Sequence, residues 1–166
     1  GAMLEELIAR GGRKFIACGG AGVLRNEIVS HHLVIPVSAV RDEGTSYHYL
    51  RPARDVAAHP LAVQALEAVL QKHHCPYLRG KTWTTDAIYR ETPQKVELRR
   101  SEGCLTVEME AAAFFAIAQF RQVILGQILY AGDDVSGIEW DPRDFFQRGP
   151  IREQVFWLAV EACLSL

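Results

Sequence analysis

The chain has 166 residues, of which 49% are apolar and 23% charged, with a formal net charge of -2; such a length suits one domain with a real core and is short for two. The near-neutral balance excludes a sequence-wide attraction to nucleic acid or to an anionic membrane, and no stretch offers the roughly 18 to 20 uninterrupted apolar residues that a membrane-spanning helix needs. Recognition is therefore expected to be local, within a cytoplasmic protein.

Gly1 and Ala2 read as a tag remnant ahead of Met3, which leaves a single domain over residues 3–166. Leu4 to Arg10 is amphipathic and stops at Gly11-Gly12; Lys14 to Cys18 then reads as a short buried strand running into a turn at Gly19, Gly20 and Gly22. His32 to Val40 is β-branched with Pro36 inside it, which predicts an edge strand or two short strands broken at the proline. Pro60 suits a first helical turn, and Leu61, Ala65, Ala68 and Val69 repeat at helical spacing toward His73-His74. Adjacent residues on a helix point about 100° apart, so His73, His74 and Cys75 are not expected to converge on a metal ion, and no metal site is expected. The four cysteines, Cys18, Cys75, Cys104 and Cys163, are widely spaced and read as reduced thiols.

Tyr77 to Thr85 alternates like a strand, Thr92-Pro93 opens a polar-faced helix that ends at Gly103, and Leu105 to Val107 makes a brief strand. Glu108 to Phe120 is alanine-rich and helical, Val123 to Ala131 is a strand, and a last helix covers about Ile151 to Leu164. Strands alternating with helices predict an α/β layered domain around a largely parallel sheet, with ligands gathered at strand ends.

Four segments offer chemistry at such ends. In Val107-Glu108-Met109-Glu110 two carboxylates flank a thioether where a strand becomes a helix: a carboxylate there can accept from both hydroxyls of a ribose while the thioether lies on the apolar face of the sugar, and the competing reading is a solvated acidic first turn. In Gly132-Asp133-Asp134 an apolar strand opens into two acids, which makes one a candidate general acid, since burial and a like charge both raise a carboxyl pKa; an ordinary Asp-Gly turn is the alternative. Gly20, Ala21 and Gly22 could present backbone N–H groups to a phosphate or sugar, or be only a turn. Tyr89, in TWTTDAIYRE, could stack on a base or belong to the core, and RDEGTSYHY from Arg41 reads as an exposed polar loop.

Taken in order, GGAGVL from Gly19, RDEGTSYHY, TTDAIY from Thr84, VEMEAAA from Val107 and GDD from Gly132 resemble the nucleoside phosphorylase and uridine phosphorylase family over roughly Leu4 to Ser136. The resemblance implies a three-layer phosphorylase-like α/β fold whose central sheet is mostly parallel or mixed and flanked by helices. It implies a pentosyltransferase cleaving the N-glycosidic bond of a purine or pyrimidine nucleoside, with no cofactor and with inorganic phosphate as co-substrate. Met109 and Glu110 are implied for ribose, Glu108 and Tyr89 for the base, the Gly20 to Gly22 segment for phosphate, and Asp134 as the acid toward a purine-like leaving group. The sequence departs from the family in four places: Ile88 replaces the first of an aromatic pair, Thr92 and Gln94 stand where a uracil-reading glutamine and arginine are usual, Asp133 replaces a common serine, and Gly20 replaces a hydroxyl residue. The amino-terminal strands and their phosphate ligands have no counterpart, which implies a truncated fold whose exposed sheet edges are covered by homo-oligomerisation or rearrangement. A nucleoside hydrolase, a non-catalytic nucleoside-binding subunit and a purely structural remnant are the alternatives.

Overall fold

The computed structural model describes residues 1–143 and 149–166. Among these residues five α-helices, α1 (Ala2–Ala9), α2 (Pro60–Lys72), α3 (Pro93–Ser101), α4 (Ala111–Arg121) and α5 (Gly149–Ser165), accompany six strands, β1 (Lys14–Val23), β2 (Leu33–Asp42), β3 (Asp55–Ala57), β4 (Tyr77–Thr85), β5 (Cys104–Glu108) and β6 (Ile124–Asp134), with β1 to β3 consecutive and helix and strand alternating from α2 onward. Local chemistry sets several of the boundaries. Helix α2 has Pro60 at its first position and His59 as N-cap, its Nδ1 accepting from the N–H of Leu61 at 3.3 Å; α3 has Pro93 and the Thr92 hydroxyl in the same roles and is followed by Gly103 at φ +85°.

The sheet runs β3-β2-β4-β5-β1-β6 and is mixed: β2 with β4, β4 with β5 and β1 with β6 are parallel, while β1 with β5 and β2 with β3 are antiparallel. A further antiparallel contact of β6 with the start of β2, Leu33 opposite Tyr130 and Val34 opposite Leu129, bends the sheet round into a ring. Helices α1, α2, α4 and α5 pack on its outer face around Leu66, Phe115, Ile128 and Val155, and Ala21, Val34 and Leu129 pack together as a separate cluster. Helix α3 closes a third cluster through Val96 on Trp83, Val40 and Val107.

Three boundaries differ from the sequence expectation. The glycines Gly19, Gly20 and Gly22 are not a turn: β1 runs through them to Val23, and Gly20 pairs with Tyr130, whose ring would stand 2.8 Å from any Cβ placed there. Pairing with β6 outweighs the turn preference of glycine, and the bulky ring opposite is the reason a residue without a side chain fits. Pro36 neither breaks β2 nor puts it at an edge. It sits beside a register irregularity against β4 and, on the other side, in the gap between the β6 pairing at Val34 and the β3 pairing that begins at Ser38, the kind of place where a missing N–H costs least. Finally, Glu108 ends a strand rather than starting a helix, and β6 extends through Asp133 and Asp134.

Candidate functional site

Strands β1, β5 and β6 meet at their carboxyl ends. Gly22 lies opposite Val107, Val23 is in register with Asp134, and a Cβ at Gly22 would come within 3.0 Å of the Val107 side chain and 3.6 Å of Asp133 Oδ2. The close crossing requires a glycine and draws the segment after β5 and the segment after β6 to one end of the molecule.

After β5, the Glu108 carboxylate folds back over the start of α4. Its Oε1 accepts from the Thr84 hydroxyl at 2.6 Å, and its Oε2 accepts from the N–H groups of Glu110 at 2.8 Å and Ala111 at 2.6 Å; Thr84 Oγ1 in turn accepts from the N–H of Ala112 at 2.9 Å. These are donors that a helix start leaves unsatisfied, so Glu108 and Thr84 together cap α4. Burial raises the Glu108 pKa to about 7, against the opposing pull of the hydrogen bonds from Thr84, Ala111 and Glu110. Held this way, Glu108 is occupied by its own backbone, in contrast to the base-side role that the family resemblance implies. The next two residues are displayed instead: Met109 and Glu110 are both exposed at the mouth of the helix, and the Glu110 side chain makes no capping bond.

After β6, Asp134 Oδ2 is held by Arg143 at 2.7 Å and its Oδ1 accepts from the N–H of Ser136 at 2.8 Å. Burial opposes ionisation here, but Ser136 and the Arg143 guanidinium outweigh it and hold the carboxyl below its usual range. Asp134 is therefore an ionised, ion-paired carboxylate in this state, the reverse of the raised pKa expected from two adjacent acids; the larger pull comes from Ser136, two positions on, and Arg143, nine positions downstream, adds to it. Asp133 accepts from Trp140 Nε1 at 2.8 Å. Beside Glu108, a second carboxyl with a raised pKa is one that sequence reasoning passed over: Glu91, pushed to about 7 by burial and then by the charge of Asp133.

Asp134 also lines a polar cavity of about 500 Å³ with Arg25, Glu27, Arg100, Glu139 and Asp141, which Met109, Glu110 and Tyr89 do not line. Tyr89 lies in the 3-10 turn Ile88–Arg90 and is 97% exposed, so it is not a core residue. The glycine segment is likewise changed in meaning: Gly20 and Ala21 are paired with β6 and Gly22 with β5, so the segment is strand and not a turn. Arg41 is no free cation either. It is 2% exposed, donates from Nε to Ser46 Oγ at 2.8 Å and from its terminal nitrogens to the carbonyls of Arg51 at 2.7 Å and Leu50 at 3.2 Å, and lies over the Tyr47 ring; the segment expected to be an exposed polar loop is folded around it.

Comparison with known proteins shows the family and the fold. The model of the phosphorylase superfamily matches residues 2–155. A guanosine phosphorylase of Halorubrum lacusprofundi is 28% identical over 125 residues, 75% of this chain and 52% of that protein, and a DeoD-type purine nucleoside phosphorylase of Dichelobacter nodosus is 26% identical over 164 residues, 98% of this chain and 68% of that protein. The structure of purine nucleoside phosphorylase from Toxoplasma gondii in complex with immucillin-H superposes with a TM-score of 0.85 at 21% identity, covering 98% of this chain and 67% of the other. The chain thus spans about half the length of the first of these relatives and two thirds of the others.

Proposed function

The chain belongs to the phosphorylase superfamily, and from that premise we propose that it holds a nucleoside at the crossing of β1, β5 and β6 and takes part in breaking its N-glycosidic bond, with inorganic phosphate as the acceptor. The observation that supports the reading is the approach of Gly22 to Val107 and Asp133, which brings the ends of β5 and β6, and with them the segments that carry Met109, Glu110, Asp133 and Asp134, to one end of the molecule. In this reading Glu110, exposed and without a capping bond, accepts from the ribose hydroxyls, and Met109 lies against the sugar. Asp134 faces the base. Because Ser136 and Arg143 keep it ionised, it acts first as an acceptor that favours protonation of the leaving base, and delivers a proton itself only after taking one up. Several relatives bear the names of nucleoside phosphorylases, among them the guanosine and purine nucleoside enzymes above, which supports a nucleoside as ligand.

Calorimetric titration of the full chain with inosine, guanosine, adenosine and uridine, together with chromatography of released base with and without phosphate, tests the reading. Saturable binding of at least one nucleoside is expected. Absence of binding to all four at millimolar concentration would remove the nucleoside from the proposal, and base release independent of phosphate would replace phosphate with water as the acceptor.

A further inference from the structure

Glu91 is an acid that neither the cap of α4 nor the Asp134 ion pair uses. It follows the 3-10 turn Ile88–Arg90 after β4 and directly precedes Thr92, the N-cap of α3. Helix α3 is held against the end of the sheet: Val96 belongs to one cluster with Trp83 and Val107, and Val135, just after β6, packs against the same cluster. The side chains of Val107, Asp133 and Val135 all crowd the Cα of Gly22, so the start of α3 and the ends of β5 and β6 come together, with Glu91 within reach of the charge of Asp133. The polar groups nearby are already engaged. Thr92 Oγ1 accepts from the N–H of Lys95 at 3.4 Å, Asp133 accepts from Trp140 Nε1 at 2.8 Å, Glu108 caps α4, and Asp134 is held by Ser136 and Arg143. Glu91 differs: it is partly buried, yet its carboxylate accepts no hydrogen bond among the described residues.

Resting on the nucleoside reading above, we propose that Glu91 reads the base and selects a 2-amino-6-oxopurine, whose ring N1–H and exocyclic amine donate to its two carboxylate oxygens. A carboxylate offers two acceptors side by side, and Asp133 adds acceptors and no donor, so this end of the site favours N–H groups and disfavours carbonyl oxygens. Uracil sets its one N–H between two carbonyls, adenine and cytosine set an amine beside a ring nitrogen that accepts, and hypoxanthine has N1–H without the amine. Of the common bases only the guanine type presents two adjacent donors, the geometry of a charge-assisted bidentate pair. Burial and then the charge of Asp133 push the Glu91 carboxyl up to about 7, and two such donors favour its ionised form and offset that cost.

Calorimetric titration of the full chain with guanosine, inosine, 1-methylguanosine and adenosine, repeated on Glu91→Gln, tests this. The wild-type chain is expected to bind guanosine roughly tenfold more tightly than each of the others, since inosine lacks the amine, 1-methylguanosine lacks N1–H and adenosine has an acceptor at N1. Glu91→Gln removes no hydrogen bond among the described residues, so circular dichroism and Tm are expected to stay unchanged. Its amide sets a donor against one of the guanine donors, and the affinity for guanosine should fall to that for inosine. Nucleoside binding without a preference for guanosine, or a preference that Glu91→Gln leaves intact, would overturn the role of Glu91 while the nucleoside reading stands. Binding of none of the four would remove that reading, and this one with it.

Discussion

Glu110 and Asp134 are both acids at strand ends, yet their surroundings give them opposite characters. Glu110 is exposed, and its side chain makes no capping bond to the chain, so Glu110→Gln is expected to leave stability within about 0.5 kcal/mol while weakening nucleoside binding roughly tenfold, because an amide oxygen accepts less strongly than a carboxylate. Unchanged affinity in calorimetry would take Glu110 out of the site. Asp134 is invested in Arg143. Its folded pKa lies below its ordinary value, so the ion pair stabilises the fold above the unfolded carboxyl pKa and that contribution disappears as pH falls through the folded one. Arg143→Met should therefore cost about 2 kcal/mol at pH 7, between the values of surface and buried pairs, and distinctly less near pH 2, where only the loss of its hydrogen bond to the Ile28 carbonyl persists. Urea denaturation at both pH values reads this; an equal cost at the two would mean that the pair contributes nothing.

At the scale of elements, the start of α4 is where fold and site depend on each other. The Glu108 and Thr84 side chains satisfy the N–H groups of Glu110, Ala111 and Ala112, and the turn so formed fixes the direction in which Met109 and Glu110 project. Glu108→Ala is expected to cost about 1 to 3 kcal/mol through the lost cap and to loosen nucleoside binding without touching the ligand. Glu108→Gln should cost less, since one amide oxygen still serves the two backbone donors and its NH₂ can donate to Thr84. The pH dependence separates the variants. With a folded pKa raised from 4.5 to about 7, Glu108 binds a proton in the native state over a range where the unfolded chain does not, so this group lowers stability as pH rises from 4.5 through 7. Glu108→Gln should flatten that part of the stability profile, and an unaltered slope would show that Glu108 does not titrate there. The acids of β6 illustrate the same dependence from the other side: the loop after them is tied back by reciprocal backbone bonds between Asp134 and Asp141, at 2.8 and 3.0 Å, which helps to hold Arg143 against the carboxylate.

For the molecule as a whole, the residues proposed for ribose are displayed at a helix start, whereas Arg41 is not available for the anion side. Arg41 is consumed by Ser46 and two carbonyls, and the Gly20 to Gly22 segment is extended strand, not a loop whose successive N–H groups converge on one point. A doubly charged anion needs several charge-assisted donors to offset its desolvation, so the chain is expected to bind a nucleoside yet release base from uridine, inosine or adenosine only slowly with phosphate present; robust saturable phosphorolysis by the purified chain would show that other donors complete the anion site. The amino-acid sequence by itself determined the alternation of strands and helices, the family, and the placing of every candidate acid at or next to a strand end, because periodicity, proline and glycine punctuation and the Glu-Met-Glu element are local signals read within a few residues. Tertiary structure alone decided that the glycines are strand and not turn, that Pro36 lies inside the sheet, that Arg41 is buried, that Glu108 caps α4 and that Arg143 pairs with Asp134. Each of these depends on a partner brought from elsewhere in the chain, Tyr130 opposite Gly20 or Thr84 beside Glu108, and the balance of desolvation against hydrogen bonds and charge exists only once that partner has arrived.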